Sequence, residues 1–175
     1  MSTATGIPPF DPAAQRGPFY RGLGFVLRTR AGRWLAMNVS AKVDPWLLAH
    51  TSGRVGTGLV LPTANLATTG ARSGARRTAA VLYFTEGDEV ILIASNFGQD
   101  HHPAWYHNLI SHPEAELERG GVSARYVAHV VSDPADHDRL FQAACSVYPG
   151  YNDYQRETAA IGRRIPILKL TPAAR

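Results

Sequence analysis

The chain has one cysteine in 175 residues, so no disulfide forms within it and its stability must come from a packed core. That cysteine, Cys145, stands in an apolar stretch with no histidine or cation cluster beside it, which reads as a buried, inert thiol. No apolar run approaches the roughly eighteen residues needed to cross a bilayer. The first residues lack a cationic tip followed by an apolar core, so they do not read as a secretory signal, and the expected compartment is the cytoplasm. Also missing are a Ser/His/Asp nucleophile arrangement, a catalytic carboxylate pair, a phosphoryl-transfer motif and any internal repeat. Chemistry in such a chain is expected to be carried by a cofactor.

Acid is locally scarce. Between Pro12 and Val43 the charges are Arg16, Arg21, Arg28, Arg30, Arg33 and Lys42, with no Asp or Glu, in a chain of net charge +4. The segment reads either as a solvated basic extension or as an arm toward an anionic membrane surface, which would make the protein peripheral at the inner face of the cell membrane. Residues 1–33 are assigned to a flexible basic extension and residues 34–175 to a single domain, whose length suffices for a sizeable core. Trp34–Ala49 has helical, amphipathic spacing, with Asp44-Pro45 starting a second short helix; covering an open end of the core and lying on lipid are its two readings.

From Gly58 the pattern turns to alternating and β-branched runs. Six strands are expected, at Gly58–Thr69, Thr78–Thr85, Glu89–Ser95, Ala115–Arg119, Val122–Val131 and Ile165–Leu170. Glu86-Gly87-Asp88 and Gly120-Gly121 supply hairpin turns, so neighbours should be antiparallel. Asp133 caps a helix opened by Pro134 and running to about Tyr148, where Pro149-Gly150 stops it. Six antiparallel strands with few helices point to an α+β chain built on a closed or nearly closed barrel, since an open sheet of this size would expose edges.

Three clusters could carry function. Thr68–Thr78 packs Arg72, Arg76 and Arg77 with Gly70, Gly74 and Ser73 into a turn between two strands. Glycines let backbone N–H groups face a ligand and arginines offer forked donors, so the turn is a candidate anion cradle; a charged hairpin tip is the plain alternative. Ser95–Asn108 follows, in which Pro103 opens a helix whose first amides, with Ser95 and Asn96, suit an anion or a ring carbonyl. Trp105 and Tyr106 would lie on a planar ring or enter the core. His101, His102, His107 and His112 sit nearby without metal-ligand spacing, so no metal is assigned. Third, Tyr148, Tyr151 and Tyr154 recur every three residues, offering either a flat wall with hydroxyls for an aromatic acceptor or three core side chains.

Taken in order, Thr69-Gly70-Ala71-Arg72-Ser73-Gly74 through Arg77, Ala94-Ser95 with His102-Pro103-Ala104-Trp105-Tyr106-His107-Asn108-Leu109, and Tyr148-Pro149 through Tyr154-Gln155 then Arg164-Ile165-Pro166 resemble the deazaflavin (F420)-dependent nitroreductase family. The resemblance spans about residues 60–172 and implies a split β-barrel of the kind that also holds FMN. It implies that Arg72, Ser73, Gly74, Arg77 and Thr78 hold the anionic tail of coenzyme F420, and that Ser95, Asn96, Ala104, Trp105, Tyr106 and Asn108 contact its deazaflavin and ribityl parts. It further implies an acceptor site walled by Tyr148, Tyr151 and Tyr154, with Tyr148 and Tyr151 the candidate catalytic phenols. The implied reaction is hydride transfer from reduced deazaflavin to a small electron-poor acceptor: a quinone, a nitroaromatic or an activated alkene. The alternatives are an FMN reductase on the same barrel or a non-catalytic carrier of flavin, deazaflavin or heme. A nucleic-acid partner is not expected, because stacking aromatics and basic residues do not track together along the strands. The chain is expected to act as a monomer or homodimer.

Overall fold

A computed structural model describes residues 6–12 and 61–174. Six strands, β1 (Thr63–Thr69), β2 (Arg76–Glu86), β3 (Glu89–Ile93), β4 (Glu114–Arg119), β5 (Val122–Val130) and β6 (Ile167–Pro172), close into a barrel in the order β1-β2-β3-β6-β5-β4. Every pairing is antiparallel, and β4 closes the ring by pairing Leu117 with Leu66 of β1. Closure leaves no sheet edge to protect. Helix α1 (Ala104–Ser111) follows β3, while α2 (Pro134–Val147) and α3 (Tyr151–Ala159) lie between β5 and β6. The six expected strands are all present, shifted at their ends by a few residues, and the antiparallel barrel with capping helices is the observed fold.

Strand alternation sorts the apolar residues into two cores. Leu66, Val81, Tyr83, Leu92, Leu117, Tyr126 and Leu170 fill the barrel. Phe84, Ile91, Ile93 and Ile167 face outward on β2, β3 and β6, where Leu140, Phe141, Ala144 and Val147 of α2 and the tyrosines around α3 cover them. This side of the barrel is thus buried on both faces. Helix α2 begins as its sequence predicts: Asp133 accepts a hydrogen bond from the Asp136 amide at 2.9 Å and Pro134 occupies the first turn. Lys169 of β6 reaches Asp136 at 2.8 Å, and Arg139 pairs with Glu86, tying α2 to the sheet at its rim.

Residues 6–12 are docked where the sequence suggested a loose segment. The buried Ile7 amide donates to the Tyr126 hydroxyl at 2.9 Å, and the Tyr83 hydroxyl donates to the Pro8 carbonyl at 2.7 Å. The Phe10 amide donates to Thr85 Oγ1 while the Thr85 amide donates to the Phe10 carbonyl, each at 2.9 Å. Two phenols inside a hydrophobic barrel need such partners, and the segment supplies them. The rest of the expected 1–33 extension, the Trp34–Ala49 helix and residues 58–60 of the first expected strand lie outside the described residues.

Candidate active site

The β1–β2 connection forms a closed turn. Gly70 N donates to Ala75 O at 2.8 Å and Gly74 N to Gly70 O at 2.8 Å. A Cβ on Gly70 would stand 2.8 Å from Ser73 Oγ and 3.1 Å from Ala75 O, so a larger residue would have to displace the turn's own atoms. Arg72, Ser73 and Gly74 are exposed at the tip. Arg76 is committed to Glu116 of β4 at 3.0 Å, whereas no ion pair or hydrogen bond engages the Arg72 and Arg77 side chains among the described residues. Two unpaired guanidinium groups on one rigid turn fit an anionic ligand.

Asn108 braces this turn from below. Its buried Nδ2 donates to Thr68 Oγ1 at 3.0 Å, and its Oδ1 accepts from the Ala71 amide at 3.0 Å. Helix α1 is thereby locked to the end of β1 and to the first residue past Gly70. Its N-terminal residues diverge: Trp105 faces a cavity, Ala104 is exposed, and Tyr106 packs against the barrel core beside His102, with ring centroids 4.9 Å apart.

That cavity, of about 160 Å³, lies outside the barrel wall. Its lining brings together Ala80, Leu82 and Ile93 of the barrel wall, Ser95, Asn96, Phe97, Pro103 and Trp105 from the segment after β3, and Tyr148, Tyr151 and Tyr154. A cavity near 150 Å³ holds one benzene-sized ring. The tyrosines are both things the sequence left open: buried core side chains and a wall. Their rings meet in pairs at centroid distances of 5.4, 6.0 and 6.2 Å, mostly edge to face, and the Tyr148 and Tyr154 hydroxyls are 3.2 Å apart. Gly150 allows this, because a Cβ there would lie 2.3 Å from Tyr148 Cζ.

The cavity therefore gathers Ser95, Asn96, Trp105, Tyr148, Tyr151 and Tyr154 from the sequence-predicted set, while Arg72, Ser73, Gly74, Arg77, Thr78, Ala104, Tyr106 and Asn108 stand outside its lining. The β2 pleat separates two of these. Thr78 shares the face of Ala80 and Leu82, toward the cavity, and Arg77 shares the face of Val81 and Tyr83. Arg77 instead lies along Gly70, its Cγ 3.6 Å from where a Cβ would be.

Sequence reasoning missed Phe97 and Arg163. Asn96, Phe97 and Gly98 run consecutively at positive φ (49°, 55° and 77°), a left-handed turn that sets Phe97 edge-on to Tyr154 at 6.3 Å. Arg163 reaches this turn from beyond α3, donating to the carbonyls of Ala94 (2.9 Å), Ser95 (3.1 Å) and Gln99 (2.9 Å) and to His102 Nδ1 (3.2 Å). Burial pulls the Arg163 guanidinium below its ordinary value. Burial also lowers His102, with the Arg163, His107 and His101 charges adding to it. The Cys145 thiol is pushed up to about 11 by burial, in keeping with an inert role.

With this geometry in view, comparison with known proteins is decisive. Residues 41–172 match the F420H(2)-dependent quinone reductase family. The chain belongs to this family. It is 34% identical over 149 residues to the F420H(2)-dependent quinone reductase Rv1261c of Mycobacterium tuberculosis, covering 79% of this chain and 96% of the relative. Among solved structures it is similar to the F420-H2 dependent reductase FDR-A, at 27% identity and a TM-score of 0.56, over 62% of this chain and 93% of that one. It is similar as well to a chain solved as a domain-swapped dimer, at 25% identity and a TM-score of 0.57, over 73% and 98%. As a member of the quinone reductase family the protein is an oxidoreductase that uses coenzyme F420, as the motif resemblance implied. Among the described residues no helix is long and apolar enough to cross a membrane.

Proposed function

We propose that this family member reduces quinones in the cavity beside α3, with the Gly70–Ala75 turn holding the anionic end of F420. The supporting observation is the cavity itself: three buried tyrosines bound an apolar, ring-sized space that Ser95, Asn96 and Trp105 also line. When bound, reduced F420 supplies a hydride. The chain's own groups do the rest. Arg72 and Arg77 attract and orient the anionic tail, and the rigid turn beneath them lowers the entropy cost of doing so. Leu82 and Ile93 offer an aromatic acceptor an apolar surface that excludes water. A quinone that gains a hydride develops negative charge on oxygen, and the Tyr148–Tyr154 pair offers a phenolic proton at the edge of the cavity, with Tyr151 packed against both rings.

The acid-free Pro12–Val43 segment supports a further part of the reading, a cytoplasmic enzyme peripheral at the inner membrane face, where lipid-soluble quinones reside. A domain-swapped dimer among its structural relatives supports a homodimer over a monomer.

The test is titration of the purified protein with F420 beside FMN, repeated with Arg72→Ala and Arg77→Ala, followed by oxidation of reduced F420 by a naphthoquinone. Preferential F420 binding at micromolar affinity or tighter, weakened by about tenfold in each variant, is the expected result. Wild-type affinity in both variants would remove the turn from the site.

A further inference from the structure

The segment Thr158–Arg163 follows the tyrosines and contributes no residue to the lining of the cavity. It closes α3 with Arg163 N bonded to Thr158 O at 2.9 Å and Gly162 at φ 69°, and it delivers one side chain, Arg163, back to the loop after β3. There the guanidinium meets four acceptors on four residues: Ala94 O, Ser95 O, Gln99 O and His102 Nδ1. Between those anchor points lies the left-handed Asn96-Phe97-Gly98 turn.

Two consecutive non-glycine residues at positive φ persist only when their surroundings over-determine them. Inside the turn, Gly98 N bonds to Ser95 O, and the Asn96 side chain bonds to Gln99 Oε1 and His101 O. On one flank α3 blocks it, since a Cβ on Gly98 would come within 3.3 Å of Tyr154 Cα. On the other, Arg163 holds both of its ends. The turn's product is a cavity wall: Ser95, Asn96 and Phe97 all line the space that the tyrosines also line.

We propose that Arg163 is a positioning residue for the acceptor pocket, clamping the left-handed Asn96–Gly98 turn so that Ser95, Asn96 and Phe97 stand at fixed places in its wall. This rests on the reading of the cavity as the reaction site. Arginine suits the task because its planar fork serves several carbonyls in fixed directions at once. A lysine ammonium offers three donors from a single point and does not span Ala94 to His102.

The experiment uses full-length Arg163→Ala and Arg163→Lys, each checked for wild-type circular dichroism. Three quantities are read: hydrogen exchange of the 94–102 amides, F420 affinity by fluorescence, and KM and kcat for a naphthoquinone. Both variants are expected to exchange Gly98 and Gln99 amides about tenfold faster or more and to raise acceptor KM by about tenfold. Added methylguanidinium should restore KM and exchange protection in Arg163→Ala but not in Arg163→Lys. Unchanged exchange or unchanged KM in Arg163→Ala overturns the proposal. If that variant does not fold, Arg163→Lys decides by the same two readings. Failure of the wild type to bind F420 would overturn the site reading instead, and the exchange data would still judge the clamp.

Discussion

The hydroxyls of Tyr148 and Tyr154 lie 3.2 Å apart across the wall of an apolar cavity, although both residues are at least 95% buried. Both phenols carry an ionisable O–H and both line the cavity proposed to take the quinone, so each is a candidate proton source for that reaction. Tyr148→Phe and Tyr154→Phe keep the rings and remove one hydroxyl each. Each is expected to lower kcat for a naphthoquinone by roughly tenfold while F420 affinity stays near wild type. Parallel measurement of kcat and the F420 dissociation constant checks this, and wild-type kcat in both variants would assign proton supply to solvent.

His102 gives the site a pH dependence with a definite sign. Its Nδ1 accepts from Arg163 Nε, and burial, followed by the Arg163, His107 and His101 charges, holds its pKa below the ordinary value. The unfolded chain therefore binds this proton first as the pH falls. Stability linked to His102 is complete above the unfolded value of about 6.5 and is lost as the pH drops toward the lower folded value. Denaturant midpoints between pH 8 and pH 5 should fall for the wild type, and by less for His102→Gln, which carries no titrating ring. Parallel curves for the two proteins would assign the acid sensitivity elsewhere.

The barrel was legible because its signals are periodic. Alternating residues such as Leu66, Val81, Tyr83 and Leu92 mark the strands, Gly87 and Gly120-Gly121 mark the hairpins, and Asp133-Pro134 marks a helix start. The tyrosine wall was legible from spacing: with Pro149-Gly150 separating two helices, Tyr151 and Tyr154 fall on one face of the second. The clamp was not, because Arg163 acts on backbone carbonyls, which any residue presents, and on a partner 61 positions away. Phe97 was hidden for a related reason: nothing in an aromatic side chain announces a left-handed backbone. The opposite faces taken by Arg77 and Thr78 were hidden because β2 begins at Arg76, two residues before its expected start, so Arg77 was read as part of the turn.

Asn108 shows how a direct contact and a brace can be told apart. Its side chain joins Thr68 Oγ1 to the Ala71 amide, so Asn108→Ala strips a partner from each and should cost about 2 kcal/mol in chemical denaturation. Thr68→Val removes the Thr68 end of the same link with nearly the same shape. The double variant should then lose less than the sum of the two, with a coupling of about 1 kcal/mol. F420 titration supplies the discriminating reading. If Asn108 serves only to hold the Gly70–Ala75 turn, Thr68→Val weakens F420 binding alongside Asn108→Ala, because both loosen the same arginine-bearing turn. If the amide touches the coenzyme itself, Asn108→Ala weakens binding while Thr68→Val leaves it unchanged. The buried 3.0 Å bond to Thr68 favours the brace, and parallel loss of affinity is the expected outcome.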